Sequence, residues 1–350
     1  MTGGPRTLIY PAESNLPMSH RSMEPFGELD ETASRIDEFI LRLVGEREPR
    51  VLYEAASHII RAGGKRLRPY LVLKSCELVG GDPNAALPFA AAVEILHTFT
   101  LIHDDIMDND ELRRGVPTVH VKWGIPIGLA AGDLLFAKVY EAILRGSSAP
   151  PETLLRCMER LTDAAISICE GQVLDISYPS AVEVSEEDYL RMIGLKTAAL
   201  FRASAEVGAM VGGGEGGMVG LLGEYAHNLG LAFQLVDDCI GLTSDEKSLG
   251  KPVGSDLREG KKTLIIIHAS KMAPPEEMEV IRGVLGNRNA PRDEIERAVK
   301  ILERLGSIDY AHRLALEYAE RARRALAPLP RTDAREELLR LTRFVVERGA

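Results

Sequence analysis

From Asp30 onward apolar residues recur every three to four positions in nearly every segment, and that period predicts helices. Ile36, Ile40, Leu43 and Val44 make the first stripe. A second covers 51–60 and stops at Gly63-Gly64; a third covers 67–78, with Pro69 tolerated in its first turn, and Gly80-Gly81 breaks it. The next helix begins near Asn84, and its stretch 87–102 is apolar all round, which predicts burial on every side. Further helices are predicted over 127–144, 152–176, 185–211, 218–241, 262–271, 276–285, 292–305, 308–327 and 334–348. Ser185 followed by Asp188 approximates a capping box. No strand-like alternation, fixed-period repeat or domain-separating linker interrupts the series, so the pattern predicts a single all-helical domain over 28–350. Residues 1–27 hold Gly3, Gly4, Pro5, Pro11, Pro17 and Pro25 with little periodicity; they read as a disordered extension or as the product of an upstream start, Met18 and Met23 being alternatives.

The apolar stretch ends in His103-Asp104-Asp105-Ile106-Met107-Asp108. Asp104 and Asp108 are one turn apart and share a face, with Asp105 beside them, so carboxylates gather at a helix C-terminus. There the macrodipole is negative and like charges raise one another's pKa, penalties that a bound divalent cation removes. Carboxylates without thiolates or clustered histidines suit Mg2+, which keeps waters and takes substrate phosphates. The bland alternative is an acidic helix end facing water. A second pair, Asp237-Asp238, ends the apolar helix 218–241 and repeats the arrangement.

The 350 residues, 45% hydrophobic and 27% charged, suffice for a sizeable core. A net charge of 42 − 52 = −10 argues against nonspecific binding to nucleic acid or to an anionic membrane, so clustered cations are informative. Gly63-Gly64-Lys65-Arg66-Leu67-Arg68 is either an anion site at a helix start or a solvated basic turn. Arg113-Arg114 either pair with the nearby aspartates or hold phosphates. Lys196-Thr197, after Tyr189 in a mostly apolar helix, needs a partner or a path to solvent, and snorkelling is the default. Gln172 and Asp175 pose the same question, with indirect support of a metal as the functional answer. The polar stretch 243–261, carrying Lys251 and Lys261, is too charged for a mere connector. Cys76, Cys157, Cys169 and Cys239 lack paired metal spacing and read as buried reduced thiols in a cytoplasmic protein. With no run of eighteen uncharged apolar residues and no signal-peptide layout, the chain reads as neither exported nor membrane-spanning.

In order and spacing, GGKRLRP, DDIMD followed by RRG, GQVLD, KT, FQLVDD and GKPVGSDLREGKKT resemble the motifs of the trans-isoprenyl diphosphate synthases, also called polyprenyl synthetases. The set spans 63–263, and its details are most similar to short-chain members of archaeal type that make geranylgeranyl diphosphate. The resemblance implies an all-α barrel around a deep cavity, a homodimer, and two acidic helix ends facing each other across the mouth. It implies that Asp104 and Asp108 bind two Mg2+ ions and Asp237 a third, with Asp105 and Asp238 supporting. Arg113, Lys196, Thr197, Gln234, Lys251 and Lys261 would hold an allylic diphosphate. Lys65, Arg68, His97 and Arg114 would hold isopentenyl diphosphate; His97 lies two turns before Asp104 on the same face, so its place also follows from helix geometry.

The implied chemistry is head-to-tail condensation. Charge on the departing diphosphate is neutralised, the isopentenyl double bond attacks the allylic carbon, and a proton is lost to the departed diphosphate. Phe99 and Thr100, five and four residues before Asp104, occupy the positions that form the cavity floor in the family. One aromatic there resembles makers of the C20 product, geranylgeranyl diphosphate, although an ideal helix points Phe99 away from the carboxylates. Gly241 replaces the last aspartate of the second motif and removes outer support for a third metal. Two rivals stand: a class I terpene cyclase, which needs no second cation set, and a noncatalytic subunit of a heteromeric synthase, which Gly241 alone favours.

Overall fold

A computed structural model describes residues 27–243 and 254–348. Residues 1–26 of the expected extension and Lys251 lie outside them. The chain opens with α1 (Gly27–Val44), α2 (Arg50–Arg61), α3 (Leu67–Leu78) and α4 (Pro83–Asp108). A two-residue hairpin follows, β1 (Leu112–Arg113) against β2 (Val116–Pro117), then α5 (Val119–Trp123), α6 (Ile125–Gly146) and α7 (Pro151–Ser177). Next come α8 (Glu186–Ile193), a π turn (Gly194–Ala198), α9 (Ala199–Val211) and α10 (Gly216–Thr243). The remainder is α11 (Ser255–Glu259), α12 (Leu264–Met272), α13 (Pro275–Val284), α14 (Arg292–Arg304), α15 (Ser307–Leu326) and α16 (Asp333–Glu347).

The two apolar helices lie at the centre. α4 packs against α3, α6 and α9, and α10 against α9 and α15. Asp82 caps α4 by accepting from the Asn84 N–H, Pro83 fills the first helical position, and Asn109 in the left-handed region stops the helix one residue beyond Asp108. The end of α4 is therefore fixed by local chemistry. Ser185 and Asp188 form the reciprocal cap expected at the start of α8. α10 runs through both hydrophobic clusters, Ala226 and Leu229 lying in one and Leu235 and Val236 in the other. Among the described residues one helix, α4, is long and apolar enough to cross a membrane; it is a core helix, with 67% of its apolar window buried in the fold.

Three features differ from the pattern. The predicted helix 185–211 is broken by the π turn, whose extra residue shifts the register and redirects Lys196 and Thr197. The hairpin and α5 occupy 112–123, where short paired segments carry no period long enough to read. Of the four cysteines Cys76, Cys157 and Cys239 are buried, whereas Cys169 is exposed, on a stretch of α7 that lines the cavity described below.

Candidate active site

α4, α7, α8, α9, α10 and the segment after α11 enclose one cavity of about 520 Å³. Asp104 and Asp108 enter it from the end of α4, Asp237 and Asp238 from the last turns of α10, so the two acidic helix ends share one space. Each of three aspartates stands beside a cation of the protein. Lys196 Nζ is 3.3 Å from Asp104, Lys261 Nζ 3.6 Å from Asp108, and an Arg348 guanidinium nitrogen 3.3 Å from Asp237. Burial pushes Asp108 up to about 6; Lys261 opposes the shift and the neighbouring Asp104 adds to it.

Asp105 is turned away. One residue is about 100° of helix, which carries its side chain out of the cavity and into complete burial against the hairpin. There it takes a hydrogen bond from Arg113 Nε at 2.8 Å and a second from Arg113 Nη2, while Asp110 also faces that guanidinium. Arg113 lines the cavity wall with its charge engaged by these carboxylates. Convergence at the mouth thus involves Asp104 and Asp108, with Asp105 acting through Arg113.

The π turn delivers Lys196 and Thr197. Lys196 Nζ donates to Asp175 Oδ2 at 2.5 Å and reaches Asp104; burial alone would lower its pKa, but Asp104 and Asp175 outweigh it and hold the ammonium above its ordinary value. Gly171 makes this possible, because a Cβ there would collide with the Lys196 backbone. Thr197 Oγ1 donates to Gln234 Oε1 at 2.8 Å, and Gln234 Nε2 donates to Asp238 Oδ1 at 2.9 Å. Tyr189 donates its hydroxyl to the other Asp238 oxygen. Burial, with Asp256 nearby, pushes Asp238 up to about 8.

Asp256 was not singled out from sequence, and it lines the same cavity. Its Oδ2 lies 3.4 Å from where a Cβ on Gly241 would be, so an aspartate at 241 would point a second carboxylate at it. Lys261 feels Asp256, Asp175 and Asp108 together; although burial lowers it, these hold its pKa well above the usual value. Arg348 is the other residue sequence reasoning missed. It stacks 3.7 Å over the Phe233 ring and donates to the Phe233 carbonyl, from a chain end with no motif around it.

At the opposite wall Arg68 Nη1 donates to His97 Nε2 at 3.2 Å, and Arg68 lies 4.5 Å over the Phe201 ring. Burial, then Arg68 and Arg114, drive the His97 pKa well below the usual value, so the ring is neutral and accepts. Arg114 donates to the Gly63 carbonyl and its guanidinium covers Gly64; Lys65 is exposed, 4.8 Å over the Phe344 ring. Neither Arg114 nor Lys65 lines the cavity; Arg114 acts on it as a charge. Deeper in, Phe99 and Thr100 line the apolar end. α4 lines the cavity through a wide arc, from His97 and Leu101 round to His103, and Phe99 sits at the arc's edge with its ring against His103 at 4.8 Å.

Among the described residues no three His, Cys, Asp or Glu side chains stand close enough to hold a metal by themselves. The donor set nevertheless fits a hard divalent cation. It is all carboxylate, and each of Asp104, Asp108 and Asp237 already faces a cation at 3.3 to 3.6 Å.

Residues 49–302 match the polyprenyl synthetase family model. The chain is 44% identical over 326 residues to a short chain isoprenyl diphosphate synthase of Methanothermobacter thermautotrophicus, covering 93% of this chain and 99% of that one. Its structure superposes on the geranylgeranyl pyrophosphate synthetase of Pyrococcus horikoshii with a TM-score of 0.86 at 45% identity, covering 92% and 98% of the two chains. A polyprenyl synthase from Caulobacter crescentus, solved with calcium and isoprenyl diphosphate, gives 0.85 at 36% identity over 93% and 97%. Matched through most of its length by the family model and by relatives well above 30% identity, the chain belongs to the polyprenyl synthetase family.

Proposed function

We propose that this prenyltransferase condenses isopentenyl diphosphate with C5, C10 and C15 allylic diphosphates and releases an all-trans C20 product, geranylgeranyl diphosphate, with C15 as a lesser one. The observation that carries this reading is a single cavity with acids and cations at one end and an apolar floor at Phe99. Asp104, Asp108 and Asp237 would hold Mg2+, three ions in all; bound Mg2+ supplies Lewis-acid neutralisation of charge on the leaving diphosphate. Lys196, Lys261, Thr197 and Gln234 orient the allylic diphosphate, with Arg113 steadying the wall; Lys251, outside the described residues, is assigned to the same group by the family motif alone. Lys65, Arg68, His97 and Arg114 hold isopentenyl diphosphate at the opposite side. In the reaction the allylic C–O bond breaks, a C–C bond forms from the isopentenyl double bond, and a proton leaves with the diphosphate. The apolar floor keeps water from the cationic carbon.

Asp256 beside Gly241 supports activity without the last aspartate of the second motif, since a carboxylate already occupies that neighbourhood. Exposed Ile125 and Leu129 on α6 and Leu155 and Ile166 on α7 support a homodimer through those helices. The two hydrophobic clusters joined along α10 support one folding unit over 28–350. Four free cysteines favour the cytoplasm. Incubating purified protein with Mg2+, isopentenyl diphosphate and each allylic starter tests the reading. C20 is expected; no condensation by folded protein would refute it in favour of a noncatalytic subunit.

A further inference from the structure

Of the three cations in Lys65-Arg66-Leu67-Arg68, only Arg68 lines the cavity; Lys65 is exposed and Arg66 is buried. Arg66 takes a left-handed backbone conformation with φ of 49° at the start of α3, and its side chain is 0% exposed. Nε donates to Asp37 Oδ1 on α1 at 2.7 Å, Nη1 to Glu94 Oε1 on α4 at 2.6 Å, and Nη2 to the Ile60 carbonyl on α2 at 2.9 Å. One guanidinium thus ties three helices to the loop that carries Gly63, Gly64 and Lys65. Arg114 grips that loop from outside, through the Gly63 carbonyl.

Glu94 is the less expected member. It is 1% exposed on an otherwise apolar stretch, one turn before His97 and on its side of α4. A buried carboxylate persists only where opposite charge surrounds it. Here that charge is more than Arg66 supplies, because Arg68 and Arg114 also feel Glu94; it opposes the lowering that burial imposes on both. Counting Arg66, Arg68 and Arg114 against Asp37 and Glu94, with His97 neutral, the wall carries one net positive charge; without Glu94 it would carry two, packed together out of water.

We propose that the buried Asp37–Arg66–Glu94 triad is positioning machinery for the diphosphate of isopentenyl diphosphate: it fixes the loop and holds Arg68 and Arg114 in register without touching substrate. This rests on reading Lys65, Arg68, His97 and Arg114 as that subsite. Field and position act with opposite sign. If the triad served only through its charge, removing Glu94 would make the wall more positive and tighten an anion. If it positions, neutralising Glu94 leaves Arg66 repelling Arg68 and Arg114, and binding weakens.

Steady-state kinetics of Glu94→Gln, which keeps the shape and removes the charge, decide between these. The expected result is a KM for isopentenyl diphosphate raised about tenfold, as for the loss of one charge-assisted contact, with kcat and the allylic KM within about twofold of the parent. Asp37→Asn, at the more exposed end of the triad, gives a smaller rise in the same KM and decides the matter should Glu94→Gln not fold. A lowered or unchanged isopentenyl KM overturns the proposal, as does an equal rise in both KM values, which marks a purely structural role. Arg68→Met separates the layers. If it leaves the isopentenyl KM unchanged the subsite reading itself fails; if it raises that KM while Glu94→Gln does not, only the triad's role fails.

Discussion

Replacing Phe99 by Ser removes the ring that closes the apolar end of the cavity. That ring lies 5.2 Å from Phe136 on α6, which in turn meets Tyr140 at 5.6 Å, so an aromatic ladder stands between the cavity and a crevice of about 10 Å³ lined by Leu96, Met158 and Ala165. One more isoprene unit adds five carbons. Where space exists, their burial is worth about 0.8 kcal/mol per carbon, roughly 4 kcal/mol, enough to shift a partition by about a thousandfold; where Phe99 stands, steric overlap replaces that gain. The variant loses two ring contacts of about 0.5–1.5 kcal/mol each, and because Phe99 is only partly buried the total cost is about 1–3 kcal/mol. At no more than about 2–4 °C per kcal/mol the protein stays folded at assay temperature. Chromatography of dephosphorylated products should show C25 replacing C20 as the main product in Phe99→Ser, and longer chains in Phe99→Ser with Phe136→Ala. An unchanged distribution from folded protein would refute the assignment of the floor, and unchanged length in the double variant alone would acquit Phe136.

Three further outcomes are expected. Lys196→Met leaves Asp104 and Asp175 facing each other in a pocket where Lys196 is 22% exposed, which costs about 1–3 kcal/mol; calorimetry of metal-free protein should show a lower Tm, partly restored by Mg2+ with inorganic diphosphate, and an unaltered Tm sinks the idea. Asp238 sits at about 8 when folded against about 3.9 unfolded, so the folded chain is the better proton acceptor. Its contribution is complete below pH about 4 and is lost as the pH rises through about 8; urea midpoints of metal-free protein should fall across that window less steeply in Asp238→Asn. Arg348→Met frees Asp237, and since that carboxylate is 53% exposed the pair is weak, about 0.2–1 kcal/mol. Mn2+ titration followed by electron paramagnetic resonance should find up to about fivefold tighter binding without substrate, and weaker binding would count against the pairing.

Residues whose placement depends on one helix's own period could be read in advance. Asp104 and Asp108, one turn apart at the end of an all-apolar run, and His97 two turns earlier needed only that period, and α4 buries as its composition demands. What lay hidden depends on partners elsewhere. Asp105 appeared to belong with its neighbours until the hairpin supplied Arg113, and that hairpin is too short to leave a pattern. The direction of Lys196 turns on a π turn, which costs one residue of register and has no signature in hydrophobic spacing. Phe99 lies off the carboxylate face of an ideal helix, yet it lines the cavity because the cavity takes about 200° of α4's circumference, more than half. Arg348 reaches the site from a segment with no motif of its own, and Asp256 from a motif that stands out for its glycines and lysines; only folding brings them there.

The pairing of Asp104, Asp108 and Asp237 with Lys196, Lys261 and Arg348 makes the resting site an internal salt. Loading it is then double displacement rather than addition. A metal ion arriving alone finds its carboxylates already partnered, and a diphosphate arriving alone finds the lysines engaged; only the two together let every charge change hands at once, carboxylate to metal and ammonium to phosphate. Such an exchange alters the number of fixed charges in the cavity very little, so loading should depend on ionic strength less than the crowd of charges at the mouth suggests. It should also favour the metal–diphosphate complex over either component as the species that enters.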